Sequence, residues 1–192
     1  MNFPRNLIAL VATGIFATAA MAMTPAEYTS AKNRISADYK MHKAHCDPMK
    51  GNAKDICKKE AEGKENVAKA ELEVQYKPSD KTQYNARKAQ ADADYAVAKE
   101  KCDDQTGNAK DVCKKDATAA HVSAIENAKV AKAQAQPADT SAEKGAAVAE
   151  VKKDAAAEKR EADYKAAKER CDALSGDLKS KCVDDAKRMY AQ

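Results

Sequence analysis

Past residue 22 the apolar positions are mostly alanine, and only three Leu, three Ile and nine Val are set among charged residues of both signs. Alanine is the best helix former. Opposite charges interleaved along such a pattern read as solvated helix faces carrying i,i+4 pairs. The pattern predicts six helices, over about 25–47, 52–76, 80–105, 108–135, 141–174 and 177–190. Local signals set their ends. Thr24-Pro25-Ala26-Glu27 and Thr140-Ser141-Ala142-Glu143 are capping boxes, the first with Pro at the first helical position. Lys77-Pro78-Ser79-Asp80 breaks one helix from the next, and Gln134 to Ser141, with Pro137 among small polar residues, reads as a linker.

Three stretches align without gaps: ADYKMHKAHCDPMKGNAKDICKKEA at 37–61, ADYAVAKEKCDDQTGNAKDVCKKDA at 93–117 and ADYKAAKERCDALSGDLKSKCVDDA at 162–186. The first two copies lie 56 residues apart and the last two 69. Each holds a C-x10-C pair: Cys46/Cys57, Cys102/Cys113 and Cys171/Cys182. Within the first copy Tyr39, Lys43 and Cys46 fall at i, i+4 and i+7, on one helical face. Gly51 sits where a helix C-cap wants positive φ, and Asn52, Asn108 and Asp177 are placed to N-cap the following helix. Pro48 predicts an early end to the first helix of copy one.

Two antiparallel helices joined by so short a turn bring the cysteines toward the roughly 5.5–6 Å between Cα atoms that a disulfide needs. Six cysteines allow 15 pairings. Repetition favours the three local ones, because each copy then solves the same problem alone. The competing readings are reduced thiols or a zinc site, though zinc ligands usually bring cysteines two to four residues apart. The fold expected is all-α: three disulfide-pinned hairpins in an elongated, coiled-coil-like arrangement. The organisation expected is a signal peptide at 1–22 and hairpin repeats at 23–77, 78–136 and 137–192.

The N-terminus carries a different pattern. Arg5 precedes an apolar run from Leu7 to Ala17, and Ala20-Met21-Ala22 follows. Charge, short apolar run and A-x-A form a secretory signal, with cleavage expected before Met23. The run falls short of the about 20 residues that span a bilayer, and an uncleaved anchor is the alternative. The expected location is therefore periplasmic or secreted, with no membrane span after cleavage.

Composition sharpens this picture. Alanine supplies 43 of the 192 residues, there is no Trp, and both Phe residues lie before residue 22. So little large apolar surface makes one compact core unattainable. Disulfides in an exported chain are the expected substitute. Formal charge is only +4 over 34 basic and 30 acidic residues, which gives no footprint for nucleic acid. No nucleophile–base pair, phosphate loop or C-x-x-C is recognisable, so an enzyme is not expected and no cofactor is implied.

Two features carry candidate chemistry. Met41, His42, His45, Cys46 and Met49 crowd the first hairpin. His42, His45 and Met49 share a face at i, i+3 and i+7 if the helix runs through Pro48, and imidazole with thioether suits copper. The plainer reading is two exposed histidines and gap-filling methionines. Tyr39, Tyr95 and Tyr164 recur at one repeat position, with Tyr28 and Tyr84 three helical turns before the first two. They read as the main packing units, with carbohydrate or peptide binding as the alternative.

The motif A-D-Y-x6-C-D-x3-G-N-A-K-D-x-C-K-K-x-A resembles small exported bacterial proteins, Ala/Lys-rich and helical, of the TolA-like cell-envelope group. Through its three copies the resemblance covers most of the chain beyond residue 22. It implies an envelope location and transfers no functional residues. TolA itself keeps its N-terminal helix as an inner-membrane anchor, where this chain shows a cleavage pattern. The function expected is a non-enzymatic periplasmic helical repeat protein with a structural, scaffolding or stress-related role. Envelope proteins or peptidoglycan are its expected partners. A copper-binding protein is the alternative from a different class, and an enzyme inhibitor a third.

Overall fold

The computed structural model describes residues 23–192, so the expected signal segment lies outside the described residues. Six helices follow one another: α1 (Pro25–Cys46), α2 (Gly51–Tyr76), α3 (Asp80–Cys102), α4 (Gly107–Ala135), α5 (Ser141–Cys171) and α6 (Gly176–Tyr190). No strand occurs among the described residues. The fold is all-α, as the alanine-rich pattern predicts. Both expected capping boxes form: Thr24 with Glu27 and Thr140 with Glu143. A third, Ser79 with Thr82, starts α3 just after Pro78.

The three expected disulfides are present, Cys46–Cys57, Cys102–Cys113 and Cys171–Cys182, with Cα separations of 5.6, 5.5 and 5.7 Å. Each pins the neck of one hairpin, and no free cysteine remains among the described residues. The turn between the cysteines differs from the expected one in two respects. The first helix of every copy ends at its cysteine, before the expected end: at 46 rather than 47 in copy one, 102 rather than 105 in copy two and 171 rather than 174 in copy three. Tight backbone bonds close the chain there: Met49 N–H to Cys46 C=O, Gln105 to Cys102 and Leu174 to Cys171. Pro48 is therefore not special, since copies without proline stop at the same place. The glycines do take positive φ, +57° at Gly51 and Gly107 and +56° at Gly176, but they open the second helix rather than cap the first. Lys50, Thr106 and Ser175 hold the N-cap positions, and none of the three helices has a side-chain cap. Asn52 instead donates its Nδ2 to the Glu100 carbonyl, across to the next hairpin, at 2.7 Å.

Each helix packs only against the helices before and after it in the chain. The result is an array one helix thick, with hairpins side by side and all three necks at the same ends of their hairpins. Among the described residues the buried ones are mostly small: eight alanines, Gly63, the cysteines Cys46, Cys102 and Cys171, and Leu72, with Glu126 the one buried charge. The tyrosines are half-buried and frame this seam rather than fill it. Small side chains let backbones approach closely. A Cβ built on Gly63 would lie 2.8 Å from the Cβ of Ala93 on α3, closer than two carbons can sit.

This seam makes a direct prediction. Gly63→Leu should force α2 and α3 apart and lower unfolding free energy by about 1–3 kcal/mol. Gly145 has nothing within 4 Å of its Cβ position, so Gly145→Leu should be neutral or stabilising through helix propensity. Urea unfolding followed by circular dichroism compares the two, and equal stability would mean the α2–α3 seam is not close-packed.

Candidate functional site

The repeated chemistry concentrates at the hairpin necks. The Asp that follows the first cysteine of each copy pairs with a Lys seven residues on, across the turn. Asp47 faces Lys54 at 4.0 Å, Asp103 faces Lys110 at 3.0 Å, and Asp172 faces Lys179 at 2.9 Å. Lys114 also reaches Asp103, at 2.8 Å. Hydrogen bonds from Lys114 and Lys110 hold the Asp103 carboxyl below its ordinary range. These pairs are solvent-exposed and each contributes only modestly. Their role is to orient the turn that the disulfide closes.

At the opposite end the first two hairpins are shut by aromatic contacts. Tyr28 stacks on Tyr76 with ring centroids 4.4 Å apart, and its O–H donates to the Glu73 carboxylate, which pushes the phenol above its ordinary value. In the second hairpin the equivalent pair is Tyr84 and Lys132, whose ammonium lies 5.4 Å from the ring. In the middle of that hairpin His121 stacks on Tyr95 at 4.7 Å and bonds Asp92 at 2.7 Å. Burial raises the Asp92 carboxyl, but hydrogen bonds from Lys88 and His121 outweigh it and leave the group below its ordinary value. All these groups close hairpins, and two of the pairs also edge shallow open clefts: Tyr28 with Glu73, and Tyr84 with Lys132. Tyr28, Tyr76, Tyr84 and Tyr95 thus make contacts within their hairpins, and the Lys43 ammonium lies 5.7 Å from the Tyr39 ring on the same helix.

The copper candidates separate. His42 and His45 are both exposed on the last turn and a half of α1. Met49 lies beyond the end of that helix, in the neck turn, so the helical register that would bring it to i+7 stops at Cys46. Cys46 is fully buried and bonded to Cys57. Among the described residues no three His, Cys, Asp or Glu side chains are grouped to hold a metal ion.

What remains are the surfaces between hairpins. An open groove of about 660 Å³ runs between α2 and α3, floored by Gly63, Val67, Ala93 and Val97 and closed at one end by the Lys101–Glu60 ion pair at 3.7 Å. The matching pair between α4 and α5 is Arg170 with Asp116. Among the described residues four large apolar side chains stand exposed: Met41 on α1, Leu174 in the last neck turn, and Leu178 and Met189 on α6. No helix among the described residues is long and apolar enough to cross a membrane. No family model, curated protein or solved structure matches the chain.

The geometry at the first neck sets an expected metal response. Titration with Cu(II) should show binding that is lost in His42→Ala/His45→Ala and unaffected by Met49→Leu, because only the two imidazoles share a helix. Unchanged binding in the double histidine variant rules the pair out, and loss in the Met49 variant would mean the turn closes over the histidines.

Proposed function

We propose that this chain is a non-enzymatic helical repeat protein of the bacterial cell envelope. It is exported through its N-terminal segment and works through its surface as a structural, scaffolding or stress-related component of the periplasm. The observation that carries the reading is the single-layer array of stapled hairpins. Because every helix packs only on its chain neighbours, each keeps solvated faces available, and the repeat offers several similar surfaces on one frame. Three disulfides within the chain suit an oxidising compartment, extracellular or periplasmic. The near-balance of basic and acidic residues favours envelope proteins or peptidoglycan as partners over nucleic acid. Copper binding is a second reading, favoured by two exposed imidazoles one turn apart on α1.

The test is capture from an envelope extract with the oxidised protein as bait and the reduced protein as control. The expected result is a specific protein or peptidoglycan fragment retained by the oxidised form and lost on reduction. Equal capture by both forms would detach function from the stapled array. Turnover of a substrate by pure protein, abolished by one point substitution, would overturn the non-enzymatic reading.

A further inference from the structure

The array uses one kind of inter-hairpin contact twice, between α2 and α3 and between α4 and α5, and the repeat register shows what its outer edges present. Met41 holds the position of Val97, which floors the α2–α3 groove, and of Ala166, which is buried with Ala119 and Ala162 between α4 and α5. In α1 that position has no neighbour, and Met41 is 64% exposed. His45 holds the position of Lys101 and Arg170, which pair with Glu60 and Asp116 on the preceding helix. The opposite edge carries the complement. Asp185 on α6 holds the position of Glu60 and Asp116. Met189 holds that of Lys64, on the wall of the same groove, and is 74% exposed.

We propose that the chain self-associates edge to edge: α1 of one copy docks on α6 of a second, repeating the contact that α3 makes with α2. Met41 then meets Met189, and His45 meets Asp185. The occupant is argued from the molecule's own interfaces, since the acid–base pair and the groove-lining apolar position both reappear on the free edges in complementary halves. Such a contact is heterologous and extends the array head to tail. Two residues limit it. Lys181 already pairs with Asp185 at 3.0 Å, so His45 shares that carboxylate rather than meeting a free one. Arg188 stands where α2 has Gly63 and α4 has Ala119, the place of closest backbone approach, and there its guanidinium is bonded to Asp185. The junction is therefore looser than the internal seams and forms reversibly with concentration. This association follows from the fold and does not depend on the scaffold reading above.

Sedimentation velocity of the oxidised protein over a concentration series tests it. Association is expected, with the midpoint shifted up about tenfold by Met41→Asp or by Met189→Asp. Arg188→Ala, which restores the small residue of the internal seams, should shift the midpoint down by a similar factor. His45→Glu should weaken association and His45→Glu/Asp185→Lys should restore it, a rescue that a merely structural effect would not give. Helix content by circular dichroism confirms that each variant is folded. A monomer at all concentrations in both the parent and Arg188→Ala overturns the proposal. So does weakening by Met41→Asp without any effect of Met189→Asp, which would indicate pairing of α1 with α1 instead.

Discussion

The bond between Cys46 and Cys57, repeated at Cys102–Cys113 and Cys171–Cys182, holds two helix ends with their Cα atoms 5.5 to 5.7 Å apart. A small loop closed this way removes on the order of 3 kcal/mol of chain entropy from the unfolded state. That matters more here than in an ordinary domain. Helix pairs usually hold together by burying Leu, Ile and Phe, and Leu72 is the only residue of these types that is buried among the described ones. With each neck fixed covalently, alanine and glycine suffice to line the seam, because they add little attraction but allow close approach.

That constraint runs through to the outer form of the molecule. A seam of small side chains cannot gather helices around a centre, so the helices lie side by side, each touching only its chain neighbours. Charged residues then decide which faces meet. Asp47, Asp103 and Asp172 orient the necks through Lys54, Lys110 and Lys179, while Lys101–Glu60 and Arg170–Asp116 register one hairpin against the next. A one-layer array necessarily has two free edges, and the large apolar residues that have no place in the seams, Met41, Leu178 and Met189, appear near them.

Much of this was legible in the residues. The cysteine spacing with its intervening glycine carries the hairpin and the local pairing, and the capping boxes carry two of the helix starts. The neck turns were less legible: propensity alone runs each first helix past its cysteine, whereas the positive φ of Gly51, Gly107 and Gly176 belongs to the start of the next helix. Partners across space were not legible. Asn52 looks like an N-cap until its acceptor, Glu100, is seen in another hairpin. Tyr76 and Lys132 have no local signal that marks them as partners of Tyr28 and Tyr84. Gly63 reads as a mere weak point in a helix until Ala93 is found against it. The Cys-Asp to Lys spacing, by contrast, stands in all three copies, a signal that could have marked the neck ion pairs but went unread. The copper triad rested on a helix running through Pro48, and the common neck turn ends α1 at Cys46.

The central claim is that covalent necks take the place of a core, and thermal unfolding of the oxidised and the fully reduced protein, followed by helical circular dichroism, tests it most directly. The account predicts that reduction lowers the midpoint by tens of degrees, or removes most helix at room temperature, since three closures of about 3 kcal/mol each are lost from a fold of marginal stability. A reduced protein that kept its full helix signal and melted within a few degrees of the oxidised form would contradict it.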